Sequence, residues 1–136
     1  VFHAGSEHTI NGERMDLEMQ SIHLPATDSD SGSATLEAGI AILFSNSTPT
    51  ADLTEAEIQI IDTFFQSLQW DNDLTVDPVP NPVADLVSYG NLMELVDLDN
   101  RWAYKGSGTV PPCTSFVYWN VLSTVYPIKQ EDLDNF

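Results

Sequence analysis

Only one segment of this 136-residue chain carries helical periodicity, and strand-like runs lie on both sides of it. Thr54 can cap a helix, and Glu57, at the third helical position, completes a capping box. Ile58, Ile61, Phe65 and Leu68 then recur at helical spacing, which predicts one buried face. Glu55 and Glu57 suit the positive end of the helix dipole. The helix is expected to end near Trp70, and Pro78, Pro80 and Pro82 predict an extended connection after it. One helix among strands restricts the chain to a β-rich α+β domain.

The strands are read from alternation and turn chemistry. Residues 1–10 predict a strand entering a turn, and Asn11-Gly12 is a strong hairpin signal. Residues 15–24 alternate, which places Glu18, Gln20 and Ile22 on one face and Met19, Ser21 and His23 on the other. Residues 27–33 read as a polar loop. Residues 35–44 predict an apolar strand, 91–98 a short strand, 101–104 another, and 116–125 a strand rich in β-formers. A turn is expected at Gly106 and Gly108, and residues 130–136 predict a terminal helix. There is no internal repeat.

Charge narrows the partners. Acidic residues number 21 against Arg14, Arg101, Lys105 and Lys129, for a net charge of -17. Such a surface repels nucleic acid and anionic membranes, and it suits solubility or docking to a basic protein surface. No apolar run is long enough for a transmembrane span. Asp28, Asp30 and the group at 71–73 lack EF-hand spacing and read as solvated loops. Asn46-Ser47-Thr48 is an N-glycosylation sequon. Cys113 is the only cysteine, either a buried inert thiol or half of a disulfide whose partner lies elsewhere. A chain opening on Val1 is expected to be processed, truncated or partial.

Two long motifs carry more. Phe2-His3-Ala4-Gly5-Ser6-Glu7-His8-Thr9-Ile10-Asn11-Gly12, continuing to Leu17-Glu18-Met19-Gln20-Ser21-Ile22-His23, resembles the α-carbonic anhydrase stretch HFHxxSEHTxxG…ELHxVH. Tyr104-Lys105-Gly106-Ser107-Gly108-Thr109-Val110-Pro111-Pro112-Cys113, then Phe116-Val117-Tyr118-Trp119, resembles that family's YxGSLTTPPC…VxW. The resemblance implies a mostly antiparallel central sheet with peripheral helices. It also implies that residues 1–136 are a partial domain, lacking an N-terminal part and a C-terminal tail that would complete it.

The family holds a catalytic zinc with three histidines, and a zinc-bound hydroxide attacks carbon dioxide. By resemblance the three ligand positions here are Val1, His3 and Gln20, so one imidazole survives. Glu7 and Thr109 match the pair that orients the hydroxide, with Glu7 expected to be buried and to take its partners from Thr109 and backbone amides. Glu18 matches the carboxylate that steadies the third ligand, and His8 matches a structural histidine. Ile22, Val117 and Trp119 stand at apolar pocket positions. Gly39, Gly108 and Val110 replace family residues there, implying a reshaped, hollowed wall. Cys113 stands where secreted members form a disulfide, which implies an extracytoplasmic setting: secreted, cell-surface or organelle-lumenal. The expectation is a non-catalytic carbonic anhydrase-like protein without a cofactor, a structural or binding subunit of a larger assembly. The alternative is a zinc-dependent carbonic anhydrase whose remaining ligands come from outside this segment.

Overall fold

The computed structural model describes residues 1–24, 36–68, 87–113 and 116–136. Chain order is β1 (Phe2–Ala4), β2 (Thr9–Ile10), β3 (Glu13–Arg14), β4 (Leu17–His23), β5 (Leu36–Ser45), α1 (Glu55–Gln66), α2 (Tyr89–Leu95), β6 (Arg101–Ser107), β7 (Phe116–Pro127) and α3 (Gln130–Leu133). Five strands form one sheet in the order β1-β4-β5-β7-β6, and β2 pairs with β3 as a small hairpin. Asn11 and Gly12 turn that hairpin with φ of 53° and 84°, a left-handed pair that this dipeptide tolerates.

The sheet is mixed, not mostly antiparallel. β1/β4, β4/β5 and β6/β7 are antiparallel, but β5 and β7 run parallel from Leu36↔Phe116 to Ser45↔Pro127, the most extensive pairing in the sheet. Between them the chain crosses over through α1 and α2, lays β6 on the sheet edge, and inserts β7 inside it. A parallel pair needs such a long crossover.

The central strands β5 and β7 divide their side chains between two cores. Toward α1 and α2 lie Leu17, Met19, Ile42, Phe44, Phe64, Phe65, Leu92 and Tyr126. Phe2 joins them, its ring centroid 6.2 Å from that of Phe64 and 6.4 Å from that of Phe65. On the opposite face Met15, Ala41, Leu43, Val117, Trp119, Val121 and Val125 cluster under Ile10 of the hairpin.

The capping box is present. The Glu57 amide donates to Thr54 Oγ1, and the Thr54 amide donates to Glu57 Oε2 at 2.8 Å. α1 closes at Gln66, with Ser67 as its C-cap. Trp70, the proline-rich connection, the polar loop at 27–33 and the acidic groups at 28–30 and 71–73 lie outside the described residues. Residues 91–98, expected as a strand, instead belong largely to α2. Leu92, Leu95 and Val96 are spaced for one helical face, and Leu92 is fully buried against the α1 side. Cys113 is exposed, at φ 54°, so the buried-thiol alternative does not hold. Asn46 lies exposed after β5, its amide nitrogen donating to the Ile128 carbonyl at 3.1 Å.

Gly39 and Gly90 make a paired test of packing. A Cβ on Gly39 would lie 2.6 Å from the Trp119 ring, whereas one on Gly90 in α2 meets nothing within 4 Å. Gly39→Ala is expected to destabilise by about 1–3 kcal/mol through overpacking. Gly90→Ala is expected to stabilise by up to about 1 kcal/mol through helix propensity. Urea unfolding of the two variants checks both signs.

Candidate functional site

Strand register assembles the site on the sheet face away from the helices. His3 of β1 pairs across to Glu18 of β4 and so shares its face. The Gln20 amide donates to the Val1 carbonyl at 2.8 Å, which places the Val1 and Gln20 positions side by side. Alternation along β4 puts Gln20 on the same face as Glu18. Glu7 and His8 arrive on the bend between β1 and β2. That bend turns at Gly5, φ 75°, and is tied down by Gly5 N donating to Asp16 O at 2.7 Å and Ser6 N donating to Met15 O at 2.9 Å. Ser6 is fully buried; its hydroxyl accepts from Met15 N and donates to His8 O.

Gln20 is the hub. Its Nε2 donates to Glu7 Oε2 at 2.9 Å and to Glu18 Oε1 at 2.9 Å. Carboxylates only accept, so the nitrogen end of the amide must face both of them. Its oxygen faces Thr109, whose Oγ1 donates at 3.4 Å. Thr109 therefore reaches Gln20 rather than Glu7. Glu7 takes its hydrogen bond from Gln20, and its side chain is 36% exposed rather than buried.

Glu18 is fully buried and collects donors. His8 N donates to its Oε2 at 2.8 Å, and His8 Nδ1 lies 2.6 Å from Oε1. Burial pushes the Glu18 carboxyl up, but the His8 side chain, the His8 amide and Gln20 together outweigh it. The net pKa lies below the ordinary 4.5. Stability from this group is present above its unfolded pKa and is lost as pH falls through the lower folded value. The other imidazole nitrogen, His8 Nε2, lies 2.7 Å from the Tyr104 hydroxyl. Burial first, then the charges of Glu18 and Glu7, raise the Tyr104 pKa above 10.0, so the phenol keeps its proton and can donate. The His8 ring thus links the buried carboxylate to the Tyr104 hydroxyl.

The remaining ligand positions offer little to a metal. Val1 carries no side-chain donor, and both ends of the Gln20 amide are engaged. His3 Nε2 is buried with no hydrogen-bond partner, 3.7 Å from Glu7 Oε2. Among the described residues, no group of three His, Cys, Asp or Glu side chains is placed to hold a metal ion. One imidazole and a neutral amide do not fit the three-ligand zinc centre that the resemblance implies.

A cleft of about 410 Å³ opens beside this network, lined in part by Glu7, His8, Tyr104, Gly108, Thr109 and Trp119. Of the expected pocket residues, Gly108 and Trp119 line it. Val117 is buried in the core below, Val110 is 70% exposed, and Ile22 lies partly exposed near the end of β4. Gly39 opens no hollow there, because the Trp119 ring fills its place. Trp119 is held by Nε1 donating to the Ser107 carbonyl at 3.0 Å and by an edge contact to His8. Sequence reasoning missed Tyr104 as a site residue. Its signal was the strand alternation of β6, which sets Tyr104 opposite Trp119.

The fold and these motifs define a carbonic anhydrase-type domain. The family model for the eukaryotic-type carbonic anhydrase matches residues 2–136, and the chain belongs to that family. It is 33% identical over 129 residues to dioscorin DB3L of Dioscorea polystachya, covering 93% of this chain and 40% of that protein. It is 28% identical over 134 residues to alpha carbonic anhydrase 3 of Arabidopsis thaliana, covering 98% of this chain and 41% of that protein. The chain thus spans about two fifths of the length of these curated relatives. In fold it resembles the fungal alpha carbonic anhydrase from Aspergillus oryzae, with a TM-score of 0.63 at 23% identity over 98% of this chain and 50% of that chain.

Gln20→Glu would remove both amide donors and set a third carboxylate between two others. The variant is expected to be less stable than the natural chain by about 2–3 kcal/mol at neutral pH. Ionising a carboxyl between Glu7 and Glu18 is unfavourable, so the charge part of the cost falls away in acid, where the introduced group is protonated, and grows as pH rises. Denaturant unfolding across pH should therefore show the difference between the two proteins shrinking as pH falls.

Proposed function

We propose that this chain is a non-catalytic carbonic anhydrase-like module, in which a glutamine amide takes the structural place of the metal centre. The observation that carries the reading is the Gln20 side chain, which spends both N–H groups on Glu7 and Glu18. Carbon dioxide hydration of the family type needs a metal-bound hydroxide, and this arrangement supplies neither the ligands nor the nucleophile. Glu7, Thr109 and Glu18 then serve the packing of the site rather than a reaction. The role left is structural or binding, as a subunit of a larger assembly that includes the rest of its own domain. A net charge of -17 favours protein partners with basic surfaces. The exposed Cys113 and the Asn46 sequon support an extracytoplasmic setting.

Metal content and activity test the reading together. After incubation with zinc and dialysis, elemental analysis is expected to find zinc well below stoichiometric. Stopped-flow hydration should match buffer alone. Val1→His with Gln20→His is expected to gain zinc affinity, because Val1 lies two residues before His3 on the same segment and Gln20 lies across from Val1 on β4. Stoichiometric zinc in the natural chain, or sulfonamide-sensitive hydration, would contradict the reading.

A further inference from the structure

A cleft built around a metal cation attracts anions, and this one keeps the carboxylates without the cation. Glu7 lines it with one oxygen, Oε2, engaged by Gln20, while no described protein group donates to Oε1. Glu18 lies fully buried behind it. Among the described residues, no lysine or arginine lines the cleft. The nearest such side chain along β6, Lys105, belongs to the other sheet face, its Nζ 4.3 Å from the Phe116 ring centroid. His8 is spoken for by Glu18 and Tyr104. The wall opposite is aromatic: Trp119, buried, and Tyr104, 46% exposed. Ser107 and Thr109 complete the polar part of the lining, Ser107 with the carbonyl that accepts from Trp119.

Resting on the metal-free reading above, we propose that the cleft binds a small organic cation with N–H donors on a flat apolar body. The donors pair with Glu7 Oε1, and the flat body lies against Tyr104, where a cation also gains from the ring face. At about 410 Å³ the cleft has room for one aromatic ring and its charged head.

Benzamidinium is the probe and benzoate its charge-reversed control, each titrated calorimetrically and by amide NMR shifts, with zinc measured on the same sample. Saturable benzamidinium binding is expected, with shifts centred on Glu7, Tyr104 and Thr109 and none from benzoate. Glu7→Gln should weaken binding at least tenfold. Thr109→Lys, on an exposed segment, should abolish it and admit benzoate instead. No saturable benzamidinium binding in zinc-free protein would overturn this inference alone. So would equal binding of benzoate, or binding indifferent to both substitutions. Stoichiometric zinc with anion binding would overturn the metal-free reading as well.

Discussion

Two carboxylates, Glu7 and Glu18, converge on one amide nitrogen, and the arrangement of the site depends on that meeting. A buried carboxylate without donors is costly, and two beside each other add repulsion. A metal would answer with charge. Gln20 answers with two N–H groups on one neutral atom, and so avoids burying a cation beside His3. Hydrogen bonds to charged groups are worth about 1.5–3 kcal/mol each, roughly twice the neutral kind. His8 completes the satisfaction of Glu18 from the backbone and the ring, and passes the connection to Tyr104.

That meeting is positioned by packing on the far side of the sheet. Phe2 and His3 are neighbours in β1 and point to opposite faces. Phe2 packs among Phe64, Phe65 and Phe136, with ring centroids 6.2, 6.4 and 5.0 Å away, and this anchors the short β1 to the helices. Met19 beside it is buried in the same core, between Glu18 and Gln20, which face the site. The parallel pairing of β5 with β7 brings Trp119 over Gly39, and the β6–β7 pairing brings Tyr104 beside it. The cleft wall is thus a product of strand order as much as of side-chain identity.

Much of this was legible in the chain because the signals are local. The Thr54–Glu57 capping box, the Asn11-Gly12 turn and the alternation of Glu18, Gln20 and Ile22 each need only a few residues to state. Residues 91–98 misled because Leu92, Leu95 and Val96 form too short a window for a period of two to be told from one of 3.6. The parallel β5–β7 pair was not legible, since it rests on where a crossover of many residues returns. Gln20 was recognised at a ligand position, but the direction of its amide depends on Glu7, brought in by a separate bend. Gly39 suggested a hollow only because the side chain that fills it lies on another strand.

The Gln20 side-chain amide can be observed directly by proton–nitrogen NMR on uniformly labelled protein, with and without a zinc chelator. Two separate, shifted and slowly exchanging Nε2 protons, unchanged by the chelator and both perturbed in Glu7→Gln and Glu18→Gln, are the predicted result. A rapidly exchanging pair at free-amide positions, or a spectrum that changes when zinc is removed, would contradict the amide-for-metal account.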